Sequence, residues 1–359
     1  MIFTKNKPHI AIEGDYDDVR DFWDAVFEED SKAWRDWYFK NIYEPQNCFI
    51  VRRGGRLISM SHINPYPMRL NGKRIQSAAL AGVATVEEER GKGYAALLIK
   101  QCLKEMRKRG QALSFLYPFN YDFYRKYGYE LCYENNIYTL SESVDTDIDV
   151  TEMAAQEDTT DLYEEFSVPF NGYIIREARY QLIKIEECLK DGGKAYLFTK
   201  GAKKLGYALT EDQGGKVQVN ELIACNAKGA AAALYEKIGK PIEFMSPYPI
   251  DAMEAEIKPH CMARITDIEG VFDGIKAKEH SMLIKVTDDI IKENNGVFAF
   301  DSQGGTLHVY RTKDRAQTEL SIKDLAAIAL GYDKSMSARA IEIYKAYFGK
   351  NRPWIVEVC

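Results

Sequence analysis

From Leu80 to Val86 the chain is a nearly unbroken apolar run, too short and too rich in valine and alanine for a comfortable helix. Three carboxylates, Glu87 to Glu89, follow it, and then Arg90-Gly91-Lys92-Gly93-Tyr94-Ala95. Beyond these, Leu97, Leu98, Cys102, Leu103 and Met106 recur at helical spacing, with Lys100, Lys104, Arg107 and Lys108 between them. The pattern predicts a strand, a tight glycine turn and an amphipathic helix. Upstream, Val19, Phe22, Trp23, Val26 and Phe27, then Trp34, Trp37 and Tyr38, predict two helices between Asp15 and Ile42. Such aromatic stripes form either core or, with Asp24, Glu28 and Glu29, one wall of a pocket. Cys48–Arg52, Gly55–Ser61 and Met68–Leu70 read as successive strands, joined by turns at Gly54-Gly55 and Asn71-Gly72.

The next region repeats this order more weakly. Helices are expected at Leu162–Phe166 and Arg179–Leu189, strands at Ala195–Thr199, Leu205–Leu209 and Val217–Ala224, and a turn into a helix over Asn226–Lys237. Asn226 stands where Arg90 stood. Past Pro249 the pattern changes: Met262–Phe272 reads as strand then helix, and Ser281–Val286, Gly296–Asp301 and Thr306–Tyr310 as strands. Asp324–Gly331 and Ser337–Phe348 read as helices, with Ser337 and Gly349 as cap and stop. The last residues, Asn351 to Cys359, are apolar for a terminus and are expected to dock.

Composition narrows the class. The chain has 359 residues, 46% hydrophobic and 28% charged, as in a globular protein of two or three domains. No run is long enough for a membrane span, and Met1-Ile-Phe-Thr-Lys5 does not read as a signal peptide. No membrane partner is expected, and a reducing cytoplasm is the simplest location. Seven scattered cysteines suggest neither a disulfide framework nor a zinc site, and five histidines show no metal spacing, so no metal is expected. A net charge of −6 argues against a nucleic-acid partner and permits a cationic small molecule.

The glycine turn aims several backbone N–H groups and a helix N-terminus, worth roughly half a positive charge, at one point. A phosphate suits it. A dinucleotide fingerprint lacks its third glycine here, and in a Walker loop Gly-Lys would precede Ser or Thr rather than Gly93. Arg90, Gly93 and Ala95 satisfy Arg/Gln-x-x-Gly-x-Gly/Ala, and the stretch resembles the pyrophosphate loop of GNAT-superfamily N-acetyltransferases, which use acetyl-CoA. A glycine-rich turn before an ordinary helix would supply the same residues. A second segment in the right order, Phe123-Tyr124-Arg125-Lys126-Tyr127-Gly128-Tyr129, resembles the closing segment of that superfamily.

Over the whole chain, including Tyr117–Tyr129, Met262-Ala-Arg-Ile-Thr-Asp267 and Pro353-Trp354, the sequence is similar to the Eis-type acetyltransferases. The resemblance implies an α+β fold. Residues 1–145 would form a GNAT domain with the acetyl-CoA site and 146–258 a degenerate GNAT-like domain. Residues 259–359 would form a sterol-carrier-protein-like α+β domain whose C-terminus reaches the active site. It also implies a homo-oligomer, a hexamer, acting on an amine of an aminoglycoside-like molecule, a polyamine or a lysine side chain.

Four requirements of acetyl transfer can be matched to residues. Arg90, Gly91, Lys92, Gly93, Tyr94 and Ala95 would hold the pyrophosphate of acetyl-CoA, the acyl donor. Backbone groups of Val83 and Thr85 could pair with the amide-rich pantetheine as an added strand; Ala84 and Asn120 complete the expected set. By resemblance Tyr124 is the acid that protonates the departing thiolate, with Tyr121, Tyr127 and Tyr129 as competitors. Holding a primary amine neutral at pH 7 costs about 4–5 kcal/mol, and the resemblance gives the role of base to the C-terminal carboxylate, here that of Cys359. The family commonly ends in an aromatic residue, so a pocket wall made by that side chain is altered. Glu357 joins Asp24, Glu28 and Glu29 as a candidate acidic wall. The alternative to an enzyme is a non-catalytic carrier of coenzyme A or of an apolar ligand.

Overall fold

The computed structural model describes residues 7–349 and 351–356. The first region begins with a short strand, β1 (His9–Ile10), and two helices, α1 (Tyr16–Val26) and α2 (Lys32–Asn41). Ser31 caps α2, its hydroxyl accepting the N–H of Trp34 at 3.0 Å. Val19, Phe22, Trp37 and Phe39 bury the apolar faces of the two helices. There follow β2 (Cys48–Arg53), β3 (Arg56–Leu70), β4 (Lys73–Thr85), α3 (Tyr94–Lys108), β5 (Leu113–Leu116), α4 (Tyr121–Arg125) and β6 (Glu130–Leu131).

The two strands expected at Gly55–Ser61 and Met68–Leu70 are one strand of 15 residues, β3. Pro65 and Pro67 interrupt the pattern but not the ladder. Pro67 turns its carbonyl outward to the N–H of Ile175 at 2.8 Å, so the N–H that it lacks is also missing on that side, away from β4.

The second region contains β7 (Glu134–Leu140), β8 (Asp149–Glu152), α5 (Thr160–Ser167), β9 (Tyr173–Ile174), α6 (Ala178–Lys190), β10 (Lys194–Lys200), β11 (Lys203–Asp212), β12 (Val217–Ala224), α7 (Ala227–Ile238), β13 (Ile242–Ser246) and β14 (Glu256–Pro259). The third contains β15 (Met262–Ile265), α8 (Ile268–Phe272), β16 (His280–Thr287), β17 (Gly296–Gln303), β18 (Thr306–Thr312), β19 (Thr318–Ser321), α9 (Ile322–Leu330) and α10 (Ala338–Tyr347). Ser321 and Ser337 cap the last two helices.

Three sheets result, ordered β1-β2-β3-β4-β5-β15-β6 with β9 beside β3, β14-β7-β13-β12-β11-β10-β8, and β18-β17-β16-β19. The first two share a plan: a parallel pair, β4 with β5 and β12 with β13, is bridged by one helix. The sheets do not divide at 145 and 259, where the domain boundaries are expected. β7, before 145, pairs with β13 of the second sheet, and β15, after 259, lies between β5 and β6 of the first. Alternation along a strand fixes which faces are buried, not which distant strand supplies its partner. The end of the described chain docks: Trp354 is buried against the rings of Tyr163, Phe166 and Phe170.

Candidate functional site

The site begins where two parallel strands part. β4 and β5 pair only from Ser77↔Leu113 to Ala79↔Phe115, leaving Leu80–Thr85 without a strand neighbour on that side among the described residues. The other side of β4 stays on β3, with a bulge between Met60↔Ala84 and His62↔Ala81. There the carbonyl of Ala84 accepts the Ser59 hydroxyl at 2.6 Å, and the N–H of Val86 donates to the Ile58 carbonyl at 3.0 Å. Alternation then turns the backbone groups of Val83 and Thr85 toward the open side, and Ala84 away from it. Gly82 makes the bulge with φ +56°, and its Cα packs against Trp23.

The loop after β4 is a short helical turn, Glu87–Glu89, followed by Arg90 in extended conformation and two glycines at φ +75° and +86°. Gly93 is the N-cap of α3 and has no side chain to satisfy the first-turn N–H groups, which leaves them for an acceptor from outside. Gly91, Lys92 and Gly93 are exposed, and Tyr94 and Ala95 half-buried. Lys92 is held by Glu89 Oε2 at 3.0 Å and the Glu88 carbonyl at 2.8 Å. Arg90 donates Nε to the Thr85 carbonyl at 3.2 Å and is otherwise exposed.

Tyr124 lies in the five-residue α4, its ring enclosed edge-to-face by Phe119, Phe123 and Tyr129. It shares one apolar cluster with Leu80, Leu98 and Leu116, against which Val83 and Tyr94 pack, so the open strand, the glycine turn and Tyr124 converge. Burial pushes its phenol well above the ordinary tyrosine value, and among the described residues no hydrogen bond is made to its hydroxyl. The competitors differ. Tyr129 is wholly buried and bonded to Ser114 Oγ at 2.6 Å, whereas Tyr121 and Tyr127 lie partly or wholly buried beside Tyr124. Asn120 is the N-cap of α4, its Oδ1 accepting the N–H of Phe123 at 2.9 Å.

A cavity of about 540 Å³ opens between the first two sheets, at the bulge. Trp23, Phe27 and Trp34 line it, so the aromatic stripe is divided between core and pocket wall. Its carboxylates are Glu29, Asp30, Glu187, Asp191, Glu211 and Glu221, against one ammonium, that of Lys184. Each inner acid is held. Asp30 accepts Trp23 Nε1 at 2.8 Å, and burial, with the charges of Glu29 and Asp191, raises its pKa. Glu187 accepts Trp34 Nε1 at 3.0 Å and pairs with Lys184. Glu221, wholly buried, is bidentate to Arg176 at 2.7 Å on both oxygens and accepts the Tyr207 hydroxyl.

Of the described residues expected in the acidic wall, Glu29 alone lines the cavity. Asp24 pairs instead with Arg35 at 3.0 Å, and Glu28 is not among the lining residues. Cys359 and Glu357 lie outside the described residues; Val356, the last described residue, lines the cavity. The acids of α6 and β12 were not legible as site residues, because they come from the weaker copy of the pattern. In that copy Asn226 caps α7, its Oδ1 accepting the N–H of Gly229 at 3.0 Å, where Arg90 stands open to solvent in the first. Among the described residues no cluster suited to a metal ion occurs, and no helix is long and apolar enough to cross a membrane.

Comparison with known proteins agrees with this architecture. Residues 8–132 match the acetyltransferase (GNAT) domain family and residues 271–353 the sterol carrier protein domain family. No curated protein matches the chain in sequence. Among solved structures, a GCN5-related N-acetyltransferase from Anabaena variabilis superposes with a TM-score of 0.80 at 19% identity, over 98% of this chain and 100% of that one. A probable N-acyltransferase from Enterococcus faecalis gives 0.80 at 19%, over 98% and 99%. Eis1 from Mycobacterium abscessus gives 0.75 at 17%, over 98% and 100%.

Proposed function

We propose that the chain, whose residues 8–132 match the GNAT acetyltransferase domain family, moves an acetyl group from acetyl-CoA to a primary amine by direct attack. The observation that carries this reading is the convergence of the open edge of β4, the glycine turn before α3 and the buried Tyr124. The pyrophosphate would rest on the N–H groups of residues 91–95 with Arg90 and Lys92 beside it, and the pantetheine would pair with the backbone of Val83 and Thr85 along the open edge.

The acceptor amine enters from the 540 Å³ cavity, whose acids favour a cation. It loses one proton to the base, attacks the thioester carbonyl, forms the C–N bond and releases its second N–H proton to solvent. The C–S bond then breaks, the thiolate takes the proton of the Tyr124 hydroxyl, and the tyrosinate is reprotonated from solvent. The base in this reading is the terminal carboxylate of Cys359; that Val356 lines the cavity supports it. Between small amines and lysine side chains, the aromatic lining of Trp23, Phe27 and Trp34 and the exposed acids Glu29, Asp191 and Glu211 favour a small polyamine or aminoglycoside-like acceptor. The reading carries with it a hexamer in the cytoplasm, the first part of which light scattering tests.

A thiol-release assay with acetyl-CoA and a panel of aminoglycosides, polyamines and lysine peptides tests the proposal. Turnover on small polycationic amines supports it. Binding of acetyl-CoA with no turnover on any amine would move the chain to the carrier reading.

A further inference from the structure

The Met262–Asp267 segment, which opens the last third of the chain, reaches into the acetyltransferase domain at three points. Asp267 pairs with Arg107 of α3 at 3.1 Å, and the Thr266 hydroxyl donates to the Gln111 carbonyl. Arg264, without exposed surface, lies under α4. Its Nε donates to the Tyr127 carbonyl at 2.6 Å, Nη1 to the Ile265 carbonyl at 2.8 Å and Nη2 to Asp288 Oδ1 at 2.6 Å. Asp288 is fixed in turn by the N–H groups of Ile290 and Ile291 at 2.9 and 3.0 Å, and by Asn294 Nδ2 at 2.9 Å. Gly128 has φ +83°, and a Cβ there would lie 3.0 Å from Arg264 Nε, so the guanidinium and the chain meet without slack.

A helix of five residues cannot hold itself. Asn120 anchors the start of α4, and the N–H of Tyr127 returns to the Tyr124 carbonyl at 2.9 Å. The grip of Arg264 on the Tyr127 carbonyl therefore sets the other end. We propose that Arg264 is a positioning residue for Tyr124, through which Asp288, in the sterol-carrier-like part of the chain, helps to align the acid of the acetyltransferase site. The proposal rests on the reading of Tyr124 as that acid.

A double-mutant cycle tests it. Arg264→Lys keeps the charge but loses the three-way fork. It is expected to lower kcat about 10–100-fold, the cost of a small misplacement, with KM for acetyl-CoA within about twofold. In the Tyr124→Phe background the same change is expected to leave kcat unaltered, since the group it aligns is gone. An equal loss in both backgrounds, or a loss confined to KM, overturns the proposal. Tyr124→Phe alone at full kcat removes the acid reading first, and the proposal with it, before Arg264 is tested. If melting shows that Arg264→Lys does not fold, Asp288→Asn is carried through the same cycle with the same two outcomes.

Discussion

A Cβ built on Gly82 would lie 2.8 Å from the ring of Trp23, and the backbone there has φ +56°. The bulge that opens β4 toward the cavity is thus pressed against the aromatic wall of that cavity, with Asp30 hydrogen-bonded to the same indole. Gly82→Ala meets both left-handed strain and overpacking. The expected cost is roughly 2–4 kcal/mol of stability, read by urea denaturation. A loss below about 0.5 kcal/mol would mean that the bulge relaxes freely.

Arg90 and Lys92 are both cations of the glycine turn, yet among the described residues only Lys92 is paired with a carboxylate. Arg90 is therefore the freer group for a phosphate. Removing one charge-assisted contact costs about 1.5–3 kcal/mol, so Arg90→Ala is expected to raise the Kd for coenzyme A about 10–100-fold. Lys92→Ala is expected to do less. Calorimetry at low salt, where screening is weakest, measures both; the reverse order would reassign the pyrophosphate contact.

Behind the bulge, His62 is buried with Nδ1 on the Tyr38 hydroxyl at 2.8 Å, and burial pushes its pKa down to about 3. The unfolded chain takes up a proton near pH 6.5 that the folded chain refuses. Stability from this group is full above about pH 6.5 and is lost as pH falls toward 3. Between pH 6.5 and 4.5 the loss is roughly 2–3 kcal/mol. His260, lowered to about 4 by burial, acts in the same direction. Unfolding measured at pH 7 and 4.5 is expected to show a smaller drop for His62→Gln than for wild type. An equal drop would place the acid sensitivity elsewhere.

The local chemistry of this site was legible in the sequence because it is contiguous. Leu80 to Met106 reads directly as strand, turn and helix, and the Tyr124 segment is legible through its resemblance to the closing segment of the superfamily. What depends on remote partners was not. The open edge of β4 exists because β5 parts from it after Phe115, and the insertion of β15 beside β5 is a choice of partner that alternation does not encode. The acids Glu187 and Glu221 reach the cavity through α6 and β12, about 100 residues beyond the glycine turn. Asn120, expected among the cofactor contacts, spends its Oδ1 on a helix cap, a use that its place before α4 also fits.

The most direct measurement is the kcat of Tyr124→Phe beside its melting temperature. The hydroxyl makes no hydrogen bond among the described residues, so the variant is expected to melt within a few degrees of wild type. If Tyr124 supplies the proton to the leaving thiolate, kcat falls about 10²–10⁴-fold. A folded variant with kcat within about threefold of wild type would contradict the account, and with it the alignment assigned to Arg264.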